Sequence, residues 1–358
     1  MIISNREISR TQPPYIVAEV SCNHGGDLNV LLETITAAKR CGCDAVKIQT
    51  YEAEDLTIPS SSPDFHIDKE DWGFDNLYDL YKASETPFEW HERIFAHAKK
   101  VGITLFSTPF SLRAVELLEK LDCPAYKIAS MELNYDELLK AVGATKKPVI
   151  LSTGLADMKA IHDAVDIVRD AAYGGEYEAG FRPQIAVLHC ISQYPAGVSY
   201  SNIKRMDNIR YAIGDTNVDV GLSDHCLSNI PATLAVARGA SIIEKHFTLS
   251  GVKSPDLPWS LYPPEMRLFV DTLHTAWEAL GDGNIDQTKS PNKQFARSIY
   301  AVEDIKAGDF ITPGSVAVIR PGYGLDPSQH QKLVKNGYAI TDISVGDAIT
   351  LYNIAFKT

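Results

Sequence analysis

No apolar run in this chain approaches the ~18 residues that a membrane-spanning helix requires, so no membrane partner is expected. The opening segment, MIISNREISR, lacks the apolar core of a secretory leader, which leads to the expectation of a cytoplasmic protein. The six cysteines form no CxxC pair and no disulfide-like density, so they are expected as buried, reduced thiols. Basic residues are in deficit, 34 against 46 acidic ones, for a net charge of −12. That balance argues against a nucleic-acid surface, which needs a basic stripe. It leaves room for a small anionic substrate, because two lysines and a metal can reverse the potential inside one cleft.

What the chain does have is a series of short apolar runs that end in polar, chemically capable residues. They are Tyr15–Ser21, Asp44–Thr50, Ile103–Phe110, Ala125–Ser130, Val149–Gly154, Ile185–Cys190, Val220–His225 and Ser241–Phe247. Each gap between them holds enough residues for a helix. Asp27 reads as the N-cap of a helix that stops at Gly42, and Pro87 and Gly102 bracket another. Eight strand-plus-helix units predict an α/β fold, a (β/α)8 TIM barrel, with its active site at the C-terminal ends of the strands.

Two insertions interrupt the pattern. The segment 51–86 follows the second strand, carries Phe65, Trp72, Phe74, Tyr78 and Tyr81, and opens on the catalytic face. It is expected to be a lid or substrate wall, or else a dimer contact or a packed excursion. Tyr173–Gln184 precedes a strand, on the opposite face, and is given no chemistry. The expected organisation is a barrel over 1–282, a linker over 283–296 and a small, mostly β domain over 297–358.

His225 and His246 close the seventh and eighth strands, which are neighbours in a barrel. Alternation puts Ser223 and His225 on one side of their strand, and Glu244 and His246 on one side of the next. Two imidazoles at the rim fit an open divalent-metal site, or two hydrogen-bonded core histidines. Lys47 and Gln49 share one face of the second strand, and Lys127 lies in the fourth. Two lysines from separate strands favour a phosphate or carboxylate over the single desolvated amine of imine chemistry. Ser130 and the Ser152-Thr153-Gly154 turn can add hydroxyl and N–H donors. Glu19, inward on the first strand, is a candidate for proton handling. His24 reads as a turn-stabilising residue, and Lys245 as a rim salt bridge.

The stretches AEVSCNHGG, DAVKIQTY, AYKIAS, LSTG, LHCISQYP, VGLSDH, GASIIEKHFTL and RPGYGLDP, in order over nearly the whole chain, resemble the sialic acid synthase family. The resemblance implies a barrel followed by an antifreeze-like (SAF) domain, in a domain-swapped homodimer. It implies condensation of phosphoenolpyruvate with an N-acetylated amino sugar to give a nonulosonic acid and phosphate. It assigns His225 and His246 to a divalent metal, Mn2+ or Mg2+. Lys47, Lys127, Ser130, Ser152 and Ser223 match the phosphoenolpyruvate positions, with Gln49, Ser192 and Tyr194 close by. Glu19 matches the acid/base carboxylate, Asp256 a carboxylate that holds sugar or metal-bound water, and Arg320 an arginine that meets the sugar's N-acetyl group.

Within the family, LYKASETPFEWH resembles the LYxxAxTPWEWH segment of the branch that makes pseudaminic acid. Leu257-Pro258-Trp259 stands where the N-acetylneuraminate and legionaminate branches carry HKA of their PDHKAS motif. By that likeness the sugar is 2,4-diacetamido-2,4,6-trideoxy-altrose, with Trp259 as an apolar wall for a deoxy, methyl-bearing substrate. The rival readings are N-acetylneuraminate or legionaminate synthesis, a Schiff-base aldolase, and a non-catalytic carbohydrate-binding protein.

Overall fold

The computed structural model describes residues 1–174, 180–283 and 291–357. Part of the Tyr173–Gln184 insertion and half of the expected 283–296 linker lie outside them. The chain divides into two compact units, Met1–Gly281 and Asp282–Thr358.

The first unit is a closed parallel barrel. Its strands are β1 (Tyr15–Glu19), β2 (Ala45–Thr50), β3 (Thr104–Pro109), β4 (Tyr126–Ile128), β5 (Val149–Ser152), β6 (Ile185–Cys190), β7 (Asp219–Asp224) and β8 (Ile242–His246). The helices that follow them are α1 (Leu28–Arg40), α2 (His91–Val101), α3 (Leu112–Lys120), α4 (Asp136–Ala144), α5 (Met158–Tyr173), α6 (Arg205–Ile213), α7 (Ile230–Ala237) and α8 (Pro263–Leu280). All eight expected strands are present, in the expected order. The barrel closes because β8 pairs in register with β1, from Ile242 opposite Tyr15 to His246 opposite Glu19.

Local signals explain the elements. The Asp27 carboxylate accepts the Asn29 N–H and caps α1, which buries Leu28, Leu31, Ile35 and Ala38 at helical spacing. Burying each such leucine or isoleucine contributes roughly 1.5–3 kcal/mol. Gly102, at φ +74°, turns the chain out of α2 while its N–H reaches back to the Ala98 and Lys99 carbonyls. A hairpin of Ile2–Ile3 with Arg6–Glu7, without enough alternation to be read from sequence, precedes the barrel. All six cysteines are buried free thiols.

Two buried histidines brace the segment 51–86. His24 Nδ1 accepts the Gly26 N–H at 3.1 Å, as expected of a turn residue, and its Nε2 meets the Thr86 hydroxyl at 3.4 Å. His91 Nδ1 lies 3.1 Å from the Pro87 carbonyl, which can only accept, so Nδ1 carries the proton and Nε2 accepts from Thr50 at 2.8 Å. Burial pushes both imidazoles down to about 4. The unfolded chain binds these protons first, so stability is full above about pH 6.5 and falls towards pH 4. Each histidine contributes up to about 3 kcal/mol to that loss. We expect His24→Asn, which keeps an acceptor for Gly26, to flatten the fall in melting temperature between pH 6.5 and 4.5; an unchanged slope would refute this account.

The second unit has its own small core, built from Ile299, Ile305, Ile311, Leu333, Ile343 and Ile349 among others. Two antiparallel pairs form it, β9 (Ser298–Ala301) with β10 (Val316–Ile319), and β11 (Gly337–Ala339) with β12 (Ile354–Phe356). A helix of about two turns, His330–Asn336, falls between β10 and β11 in this mostly β unit.

Candidate active site

The C-terminal ends of the barrel strands surround a cavity of about 410 Å3. Glu19, Lys47, Gln49, Lys127, Ser130, Ser152, Ser192, Tyr194, Ser223, His225, His246, Asp256 and Trp259 all line it. Every barrel residue that the family resemblance assigned to the site is therefore in one place. Arg320 belongs to the second unit, just beyond β10, where it is exposed.

The register of neighbouring strands builds the polar floor. Glu19 on β1 lies opposite Lys47 on β2, and Ser223 on β7 lies opposite Glu244 on β8. Lys47 Nζ meets Glu19 Oε2 at 2.8 Å and Glu244 Oε2 at 3.8 Å, and donates to Thr108 at 3.2 Å. Gln49 donates to the other oxygen of Glu19 at 3.1 Å. Lys127 donates to Ser152 Oγ at 2.7 Å and reaches Glu244 at 3.8 Å. Glu244 also accepts the Ser223 hydroxyl at 2.9 Å. Sequence reasoning placed Glu244 on the inner face but gave it no role. Here it bridges the two lysines.

The two ammonium groups differ in balance. Burial opposes the charge of Lys47, but Glu19 and Glu244 outweigh it and hold the group above its ordinary range. For Lys127 burial wins, Glu244 offsets it only in part, and Lys47 adds repulsion, so its proton is held less tightly than usual. Burial also opposes ionisation of Glu244, yet Lys127 and Lys47 bring its carboxyl down to about 2. Lys127 is thus a buried cation short of negative charge, beside the Ser152 hydroxyl. Ser130 Oγ accepts the Gly154 N–H at 2.9 Å, which fixes the turn after β5 against it.

His225 and His246 face each other with ring centroids 5.4 Å apart. His225 Nδ1 donates to the Ile191 carbonyl at 2.8 Å, and His246 Nδ1 lies 3.3 Å from Asp256 Oδ2. Burial opposes the Asp256 charge, but His246 and its other neighbours hold the carboxyl below its usual range. With Nδ1 of His225 bonded to a carbonyl, its Nε2 is left as the lone-pair nitrogen, the arrangement that orients imidazole ligands. The donor set fits a divalent ion with two protein ligands. Among the described residues no group of three or more His, Cys, Asp or Glu side chains forms a ligand set.

The upper wall is aromatic. Tyr194 packs 4.2 Å from His225 and 5.2 Å from Trp259, centroid to centroid, and Trp72 lies 5.8 Å from Trp259. From the segment 51–86 the cavity takes Tyr51, Ile67, Trp72, Leu77, Leu80, Tyr81 and Ser84, so that segment does form a wall. Phe65, Phe74 and Tyr78 are not in the lining; the Tyr78 hydroxyl bonds Glu54 instead. Cys190, the last residue of β6, also lines the cavity and was missed. Lys245 points away from His246, as its parity requires, but it is no rim residue. It is fully buried against Asp224 at 2.8 Å and the ring of Phe269.

No described helix is long and apolar enough to cross a membrane. The profile of the NeuB family matches residues 34–285. The pseudaminic acid synthase of Campylobacter jejuni is 39% identical over 89% of this chain and 91% of its own. That of Helicobacter pylori is 36% identical over 90% and 93%. The N-acetylneuraminic acid synthetase of Leptospira borgpetersenii, solved with citrate, superposes with a TM-score of 0.67 at 29% identity, over 80% of this chain and 91% of that one. A barrel with this lining, matched over most of its length at these identities, belongs to the NeuB family.

Proposed function

We propose that the chain condenses phosphoenolpyruvate with an N-acetylated amino sugar, giving a nonulosonic acid and inorganic phosphate, and that the sugar is 2,4-diacetamido-2,4,6-trideoxy-altrose. One observation carries the reading: two lysines, two serines and two histidines from five strand ends open on one cavity. The likeness to pseudaminic acid synthases supports the choice of sugar.

In this reading Lys47 and Lys127 bind the phosphate group, helped by the Ser130 and Ser152 hydroxyls. Two aligned cations of this kind typically contribute a few kcal/mol each to transition-state stabilisation. His225 and His246 would hold a divalent ion, Mn2+ or Mg2+, which supplies Lewis acidity to the sugar's aldehyde oxygen. The enol carbon attacks the aldehyde carbon, and positive character develops on the carbon that carries phosphate. Glu19, fixed between Lys47 and Gln49, directs water to that carbon and takes its proton. The tetrahedral intermediate then expels phosphate by C–O cleavage. Asp256 orients His246 and the sugar. The same reading makes the enzyme a homodimer, with Arg320 delivered to the neighbouring protomer's sugar.

The test is a panel of amino sugars offered with phosphoenolpyruvate and manganese, scored by phosphate release. We expect the diacetamido-trideoxy-altrose to be consumed fastest and chelation to stop turnover. Faster use of N-acetylmannosamine or of the legionaminate precursor would move the enzyme to another branch. The lowered basicity of Lys127 also suits imine chemistry. A borohydride-trapped adduct on Lys127 would replace the condensation reading.

A further inference from the structure

We infer that Trp72, from the segment 51–86, sets a preference for a sugar whose terminal carbon is a methyl rather than a hydroxymethyl group. The inference rests on the condensation proposed above and assigns that reaction a further specificity residue.

Three rings lead away from the histidine pair. Tyr194 stacks on His225 at 4.2 Å, and Trp259 lies 6.3 Å from His246 and 5.2 Å from Tyr194. Trp72 closes the series, 5.8 Å from Trp259 at 74° and 6.5 Å from Tyr194 at 60°. With its aldehyde at the histidines, a six-carbon chain projects about as far as the Trp259–Trp72 pair. Trp259 is buried, and its indole N–H finds no acceptor. With Trp72 the same segment contributes the apolar side chains of Ile67, Leu77 and Leu80 to the lining.

The loop that carries Trp72 is bonded to itself. His66 bridges Asn76, the Ile67 N–H donates to the Asp75 carbonyl at 3.3 Å, and Asp68 caps the single turn Lys69–Trp72. Gly73, at φ +79°, ends that turn in the left-handed region where a side chain is strained. The indole is therefore presented by a closed loop. A methyl group set against it gains contact. A hydroxyl set against the face of the Trp72 ring gives up its water partners for carbon contacts alone. An apolar wall discriminates in this way by roughly ten- to a hundredfold and no more.

The experiment compares kcat/KM for 2,4-diacetamido-2,4,6-trideoxy-altrose and its 6-hydroxy counterpart in the wild type, Trp72→Ala, Trp72→Phe and Trp72→Gln. We expect the wild type to favour the deoxy sugar by about ten- to a hundredfold. Trp72→Ala and Trp72→Gln should bring the ratio close to one, with KM for phosphoenolpyruvate unchanged, and Trp72→Phe should keep most of the preference. An unchanged ratio in folded Trp72→Ala and Trp72→Gln, or equal loss on both sugars, overturns the inference and leaves the condensation standing. A wild type that consumes neither sugar, nor any other in the panel, fails the condensation itself and this inference with it.

Discussion

Replacing Lys127 by methionine lowers kcat/KM for phosphoenolpyruvate by about two to four orders of magnitude. Methionine keeps the length and apolar stem of the side chain, so the loss is one of charge. Lys127 is fully buried, its carboxylate contact is 3.8 Å away and shared with Lys47, and its hydrogen-bond partner Ser152 is neutral. In the proposed reaction an arriving phosphate supplies the negative charge this ammonium lacks. Lys47 differs, because Glu19 already sits 2.8 Å from it. The substitution also removes one of the two cations that keep the Glu244 carboxyl down at about 2. Leaving a buried carboxylate short of a partner costs roughly 3–5 kcal/mol, so the double variant Lys127→Met, Glu244→Gln should recover melting temperature without recovering turnover. Steady-state kinetics with thermal melts decide it. A Lys127→Met enzyme within about threefold of wild type would remove this residue from the anion site.

The second large effect comes from a residue with no side chain. Gly154→Ala should raise KM for phosphoenolpyruvate by about ten- to a hundredfold, with melting temperature nearly unchanged. A Cβ at this position would lie 2.0 Å from Ser192 Oγ and 2.9 Å from Ser130 Oγ. Gly154 is absent from the positive-φ positions, so its backbone accepts alanine and the conflict is steric alone. Both obstructed atoms are hydroxyls of residues that line the cavity with the two lysines, and Ser130 also accepts the Gly154 N–H. If the methyl acts by displacing Ser192, Gly154→Ala adds little on a Ser192→Ala background. Penalties that simply add would show that the glycine matters for another reason.

How much of this was legible in the chain depends on which residues must meet. The strands were legible because a parallel barrel buries both faces of each strand, which makes them near-continuous apolar runs. Chemistry at the strand ends is conspicuous for the same reason: Lys47, Lys127, His225 and His246 interrupt segments that are otherwise apolar. The role of Glu244 was not legible. Its partners sit on β2, β4 and β7, and only closure of the barrel brings Lys47, Lys127 and Ser223 to one carboxylate. Lys245 shows the converse limit, since alternation gave its direction but nothing in the sequence announced a fully buried pairing with Asp224. Trp72 stood out as an aromatic residue in a long insertion. Its place beside Trp259 follows from loop closure between His66 and Asn76, which carries no period to read.

The carboxylate that bridges the lysines has a consequence for the end of the catalytic cycle. Glu19 and Glu244 offset part of the charge of the two ammonium groups, Lys47 more fully than Lys127, so the pocket is not a deep electrostatic trap. In the proposed reaction an incoming phosphate ester exchanges with these internal partners for its contacts, and the freed inorganic phosphate meets the same competitors on its way out. The pocket thereby grips its cargo only as firmly as it can afterwards let go.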